Sequence, residues 1–189
     1  MRVVGGSWRG RRLDAPEGRS VRPTSDRARE AIFNILEHGK HTGGEGSPIP
    51  DARVLDAFAG SGALGIEALS RGAAHATFLD TDAVAIRAVE TNLAALKGQD
   101  RATARRADCL APPRAPAPCD IVFLDPPYGQ GLVTPALAAL ADAGWIAPGA
   151  LCVAEQQHDE ALDPPAGFET LTERRYGKAR VVILRYAPR

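Results

Sequence analysis

The sequence predicts an α/β protein, a largely parallel sheet with helices on both faces and an antiparallel strand at one end. Three observations predict it. From Ala52 onward, short apolar runs alternate with amphipathic stretches, the pattern of a sheet wound by helical crossovers. The first run leads directly into the spacing Gly60, Gly62, Gly65. The last two runs, inside "FETLTERRYGKARVVILRY", have no helix between them, so the closing strand must turn back antiparallel.

The elements follow in chain order. "RVVGGSWRGRRLDAP" holds two short extended pieces around glycines and reads as a β-hairpin. In "RPTSDRAREAIFNILEHG", Pro23 stops any preceding strand, and Thr24 or Ser25 can cap a helix with Asp26 in its first turn. Ala28, Ala31, Ile32, Ile35 and Leu36 then form one helical stripe, and Gly39 ends it. Residues 39–50 are a glycine-rich linker, which makes 1–38 an N-terminal extension and 51–189 the main domain.

Within that domain "RVLDAF" is a strand and "ALGIEALSRG" a helix closed by Gly72. "ATFLD" is the second strand, and "DAVAIRAVETNLAAL" is an amphipathic helix closed near Gly98. "ATARRAD" alternates weakly as a third strand, and "PPRAPAPC" is a proline-rich surface loop. "IVFLD" is the fourth strand, and "LVTPALAALADAG" is a helix with Pro135 near its start, where a missing N–H matters least. "ALCVAEQ" is the fifth strand, and the final two meet near Gly177 and Lys178.

The 189 residues are 44% hydrophobic, enough for one domain with a sizeable core. No apolar run is long enough to span a bilayer, and "MRVVGGSWRGRR" lacks the apolar middle of a secretory signal, so a cytoplasmic protein is expected. Cys109, Cys119 and Cys152 are odd in number and without metal spacing, and the four histidines are scattered, so buried thiols and no metal are expected. Nothing requires more than a monomer.

The formal net charge of zero conceals an asymmetry. Residues 1–29 carry eight arginines against three acids, a net +5 that the remainder balances with −5. A basic arm on an acidic body points to a polyanion. Arginine without lysine favours nucleic acid, because a planar fork matches phosphate and stacks on bases. Trp8, Arg9, Arg11 and Arg12 are the arm's candidate contacts. A lone tryptophan is as often a packing anchor.

Gly60, Gly62 and Gly65 follow a strand and open a helix, as a nucleotide-binding turn requires. The cofactor could be NAD or S-adenosylmethionine. Asp56, four residues before Gly60, would repel a pyrophosphate but would welcome an α-amino cation and a sulfonium. Asp80 ends the second strand, where an acid can accept both ribose hydroxyls. Asp82 competes for that role, or caps the next helix. Asp108 can accept from the adenine amine, or is a surface loop acid. Acids at the ends of strands one, two and four converge on the rim where such sheets bind ligands.

"DPPY", Asp125 to Tyr128, follows the fourth strand. Downstream of "DAFAGSG", it resembles the catalytic motif of S-adenosylmethionine-dependent amino-methyltransferases. The chemistry accounts for it. An exocyclic amine is a weak nucleophile because its lone pair is delocalised into the ring, so the site must hold the nitrogen in line and absorb developing charge. Asp125 can accept one N–H and the Pro126 carbonyl the other. Pro126 and Pro127 fix the corner, and Tyr128 offers a face for stacking.

"GGSWRGRRL", "RPTSDRAREAIFNIL", "LDAFAGSGALGIEALSRGA" and "FLDTD" are similar, in order and spacing, to the RsmD family, which methylates the N2 amine of one guanine in 16S ribosomal RNA. The resemblance implies a seven-stranded Rossmann-like class I methyltransferase fold, S-adenosylmethionine as cofactor, and the small subunit or its assembly intermediate as partner. It implies too that Arg22 to Phe33 folds against the pocket, making Arg22, Thr24 and Phe33 site candidates. Asp80 stands where relatives often have glutamate, and Tyr128 where phenylalanine also occurs. Adenine methyltransferases share the corner, and protein glutamine methyltransferases use an asparagine version. A non-catalytic RNA-binding assembly factor would not need Asp125.

Overall fold

A computed structural model of the chain describes residues 1–16, 26–38 and 46–188. Thr24 and Arg22, the expected helix cap at 24 or 25 and most of the expected linker lie outside the described residues.

Seven strands form one sheet: β1 (Arg53–Ala57), β2 (His75–Asp80), β3 (Ala102–Arg106), β4 (Cys119–Leu124), β5 (Ile146–Gln157), β6 (Phe168–Tyr176) and β7 (Ala179–Tyr186). Their order is β3-β2-β1-β4-β5-β7-β6. β1 to β5 are mutually parallel, and β7 lies antiparallel between β5 and β6. Among the described residues four helices cover the faces: α1 (Asp26–His38), α2 (Ala63–Ser70), α3 (Ala83–Leu96) and α4 (Val133–Asp142). The central strands are buried on both faces, which is why they read as unbroken apolar runs. β5 begins earlier than expected, because a register shift absorbs Ala147–Ala150 between the pairs Cys119↔Ile146 and Ile121↔Leu151.

The two faces carry separate cores. α1, α2 and α3 pack with Val54, Phe78, Phe123, Val153 and Ile183 on one. On the other, α4 packs with Leu55, Leu79, Val122, Leu124 and Leu184. There the proline-rich loop lies against Trp145, whose indole donates to the Pro113 carbonyl at 2.7 Å.

The described residues of the N-terminal segment pack into the first core rather than forming one of their own. Val3, Leu13, Ile32, Phe33 and Leu36 belong to the first core. The expected hairpin is a minimal one: a single bridge, Arg2↔Arg12, closed by a 3-10 turn at Gly6–Trp8. It covers the outer side of α2, where every residue from Leu64 to Ser70 is buried. Glu67 accepts from the amides of Val4 at 2.8 Å and Gly5 at 2.7 Å and pairs with Arg71 at 2.9 Å. The α1 stripe is rotated from expectation to Arg29, Ile32, Phe33 and Leu36. Arg29 is wholly buried, its guanidinium held by Asp26 at 2.8 Å, the Arg2 carbonyl and the Met1 sulfur. A periodicity count that scores arginine as polar misses it.

Candidate active site

Strand order reverses at β1, which has β2 on one side and β4 on the other. A crevice beyond the carboxyl ends is the expected binding place in such a sheet. Asp56 lies one residue from the end of β1, Asp80 ends β2, and Asp125 follows β4 directly.

The turn from β1 to α2 is tightly wound. Phe58, Gly60 and Gly62 all have left-handed φ, of 64°, 55° and 77°. Gly60 and Gly62 tolerate that conformation at no steric cost, whereas Phe58 carries strain. A Cβ on Gly60 would project into open space, so the backbone there is bare towards the crevice. Gly65 has another role. A Cβ on it would overlap the Phe78 ring and press on Asp56 Cβ at 3.1 Å, so the glycine lets α2 sit directly on the sheet.

The acids hold this loop. The Gly65 amide donates to Asp56 Oδ2 at 2.8 Å, and the Gly60 amide to Asp80 Oδ2 at 2.9 Å. Asp80 Oδ1 also accepts from the Asp82 amide at 2.9 Å. Burial pushes the Asp56 carboxyl well above its ordinary range, and the negative charges of Asp125 and Asp80 push it further against the Gly65 hydrogen bond. Asp56 thus lies within the field of both other carboxylates. That field disfavours a pyrophosphate and fits a ligand bearing an ammonium and a sulfonium.

Asp82 caps α3, accepting from the Val84 amide at 2.8 Å. Asp108 is exposed and accepts from Leu110 at 2.9 Å in the turn after β3.

At the corner, Asp125 is half-buried, Pro126 buried, and Pro127 and Tyr128 exposed. The Tyr128 hydroxyl donates to Glu155 Oε1 at 2.8 Å. Glu155 is a buried acid near the end of β5. Behind the corner, Glu160 accepts from the Gly129 amide at 2.9 Å, the Gly131 amide at 3.4 Å and the Gln157 amide at 2.9 Å. The catalytic-type loop is therefore tied to β5 twice. The sequence reading passed over both glutamates. Glu155 had a signal, an acid ending an apolar strand like Asp56 and Asp80. Glu160 lies in a loop with no pattern.

The arm reaches this site from behind. Asn92 of α3 donates to the Ser61 carbonyl at 3.0 Å and the Asp14 carbonyl at 2.9 Å, and accepts from the Asp14 amide at 2.8 Å. The Ser61 hydroxyl contacts the Met1 sulfur at 3.5 Å. The tip of the arm lies elsewhere. Trp8 packs where a Gly98 Cβ would come within 2.7 Å of its ring, and the Arg101 guanidinium stacks 5.2 Å above it. Its ring serves as a packing anchor, the alternative the sequence left open. Arg11 donates to the Ala95 carbonyl at 2.7 Å, Arg9 is exposed, and Arg12 lies 3.9 Å from Asp14. Phe33 is buried against Phe123, ring centroids 5.5 Å apart, with Arg71 over its other side at 4.8 Å.

The thiols of Cys109 and Cys119 are pushed up to about 12 by burial, and that of Cys152 higher still, so none is poised as a nucleophile. Among the described residues no group of His, Cys, Asp and Glu is arranged to hold a metal ion, and no helix is long and apolar enough to cross a membrane.

Strand order, glycine turn and acidic rim together define a Rossmann-like class I methyltransferase. The chain belongs to the RsmD family: the family model described as Conserved hypothetical protein 95 matches residues 1–185. It is 40% identical over 180 residues to ribosomal RNA small subunit methyltransferase D of Escherichia coli, covering 94% of this chain and 86% of that protein. The Haemophilus influenzae protein of the same name is 36% identical over 181 residues, covering 94% and 89%. The solved structure of yhhF from Escherichia coli superposes with a TM-score of 0.82 at 36% identity, over 100% of this chain and 99% of that one.

Proposed function

We propose that the protein methylates the exocyclic N2 amine of one guanine in 16S ribosomal RNA, using S-adenosylmethionine, during maturation of the small subunit in the cytoplasm. The observation that carries this reading is the rigid corner Asp125–Tyr128 at the end of β4, one strand from the glycine turn. The names of the relatives supply the RNA.

When bound, the cofactor supplies an electrophilic methyl carbon on a sulfonium. The bare backbone at Gly60 receives it closely, Gly62 lets the turn pack against Phe78 and Val89, and Asp56 and Asp80 provide negative charge for its ammonium and acceptors for its ribose. Asp108 takes the adenine amine, and Asp82 keeps α3 in place beside the ribose. Asp125 accepts one N–H of the guanine amine and the Pro126 carbonyl the other, which turns the nitrogen lone pair out of conjugation. Asp125 needs no raised basicity, because the amine proton becomes acidic only as the new N–C bond forms. Tyr128 stacks on the base, and Pro127 keeps the corner from relaxing. Thr24, as a cofactor contact, and Arg22, as an RNA contact, remain candidates that lie outside the described residues. Trp8 anchors the arm, and Arg9, Arg11 and Arg12 are its candidate RNA contacts. The protein acts as a monomer.

Radiolabelled methyl transfer onto small subunits lacking the modification, followed by nucleoside mapping, tests this. Label on N2 of a single guanine is expected. Label on adenine N6, or on DNA in preference to ribosomal RNA, overturns it.

A further inference from the structure

The arm's tip and the catalytic corner lie at opposite ends of the sheet. α3 starts at the cofactor rim, where Asp82 caps it, and runs 14 residues to Leu96, about 21 Å at 1.5 Å per residue. Trp8 and Arg11 meet the chain at its far end, through Gly98 and the Ala95 carbonyl. Gly5 and Trp8 likewise meet Ser70, the last residue of α2. Arginines 9 and 11 therefore stand a helix length from Asp125. An enzyme that acts on one base must hold the nucleotides flanking it, or the unstacked base has no fixed register.

The β6–β7 turn lies at the right end. β6 runs parallel to β4 and β5, so its last residues reach the same rim as Asp125. Register makes the placement specific. Leu124 pairs with Ala154, so Asp125 falls level with Glu155; Glu155 pairs with Val181, and Val181 with Arg174. Cross-strand partners share a face, and Val181 faces the core of α1, α2 and α3. Asp125, Glu155 and Arg174 thus occupy one row on one face. Three strand spacings separate its ends, about 15 Å.

The turn is cationic. Arg174, Arg175 and Lys178 are exposed. Its acids are largely occupied: Glu173 lies 3.4 Å from Arg180 and 4.0 Å from Arg175, and the Glu160 carboxylate is taken by three backbone amides. Asp159 is exposed nearby. The turn is also fixed to the corner. Arg180 donates to the Glu160 carbonyl, and Glu160 holds Gly129 and Gly131 directly behind Tyr128. The His158 amide donates to the Lys178 carbonyl at 2.9 Å. Hydrogen bonds through Glu160 and Arg180 thus link the turn to the catalytic corner.

We propose that Arg174, Arg175 and Lys178 on the β6–β7 turn form a second RNA-binding surface, which grips the phosphates flanking the target nucleotide while the N-terminal arm engages the RNA farther away. This rests on the methyltransferase reading above and adds to it a surface that neither the sequence motifs nor the arm supplies.

The test is the triple variant R174A/R175A/K178A beside the charge-conserving R174K/R175K. Small subunits lacking the modification serve as substrate, and filter binding to 16S ribosomal RNA reads the surface without turnover. Each phosphate contact contributes about 0.7–0.9 to the log–log salt slope, so the triple variant should flatten that slope by about 2 and raise KM and Kd roughly tenfold or more. Its kcat at saturation, S-adenosylmethionine affinity and Tm should match the wild type, and R174K/R175K should recover most of the affinity. Unchanged Kd and salt slope in the triple variant, with an active wild type, overturn this surface. So does a loss of cofactor affinity or Tm that accounts for the defect. A wild type that binds the RNA through this turn but transfers no methyl group overturns the reaction assigned above and leaves the surface standing.

Discussion

The Tyr128 hydroxyl donates to Glu155 Oε1 at 2.8 Å and so fastens an exposed ring at the end of β4 to a buried acid on β5. An aromatic platform is useful only if its plane is fixed before the base arrives, since immobilising it on binding costs side-chain entropy. Tyr128→Phe should retain stacking but lose this tether, a cost of about 1–2 kcal/mol in stability and a few-fold in kcat. Tyr128→Ala should weaken RNA binding by about 1–3 kcal/mol. Denaturant unfolding and single-turnover kinetics separate the two. Equal KM values for the two variants would remove the stacking role.

Asp125→Ala should bind S-adenosylmethionine normally while methyl transfer falls by about 10²–10³, the usual loss when one preorganised polar contact to a transition state is removed. Calorimetry for the cofactor and a rapid-quench assay for the chemistry measure the two sides. Turnover near the wild-type rate would exclude Asp125 from the reaction.

Gly65→Ala should destabilise the protein by about 1–3 kcal/mol, because the added methyl overlaps Phe78 and cannot move without lifting α2 off the sheet. The same shift pulls the Gly65 amide from Asp56, so cofactor affinity should fall with Tm. Gly129→Ala is the contrast. A Cβ there meets nothing within 4 Å, so only the φ of 75° is penalised.

Asp56 gives stability a distinctive pH dependence. Its carboxyl is raised above the ordinary 3.8 by burial first and then by Asp125 and Asp80. A raised value means that the folded state binds the proton more tightly than the unfolded chain. Its contribution is therefore complete below 3.8 and is lost as pH rises through the folded-state value. Asp56→Asn can still accept from Gly65 without that loss. It should have a higher Tm than the wild type at neutral pH, the gap opening as pH rises from about 4, and it should bind S-adenosylmethionine more weakly. A Tm difference independent of pH would contradict this.

Glu67→Ala should cost about 1–3 kcal/mol, because it leaves the part-buried amides of Val4 and Gly5 without their acceptor and Arg71 with Glu37 alone, at 2.8 Å. Loss of protection at the amides of Val4 and Gly5 in hydrogen exchange would accompany it.

Strand and helix positions were legible because parallel strands buried on both faces must be apolar throughout, and the glycine turn and Asp125–Tyr128 were legible because their chemistry demands particular residues at fixed offsets. What escaped depended on contacts distant in sequence. Arg29 is buried because Asp26, Arg2 and Met1 converge on it, and no local pattern reports that convergence. Trp8 among arginines reads as a stacking residue until Gly98 and Arg101 are seen beneath and above it. Glu160 acquires its role only when the chain brings Gly129 and Gln157 to it. The early start of β5 was hidden because Pro148 and Gly149 look like a turn and are instead absorbed in a bulge.

Asn92 grips Asp14 with one hand and Ser61 with the other. A brace of this kind obeys reciprocity: if docking of a ribosomal particle on the arm tightens the nucleoside's seat by some factor, an occupied seat must tighten docking by the same factor. Order of arrival would then be a matter of cellular abundance, and neither ligand would need to be first.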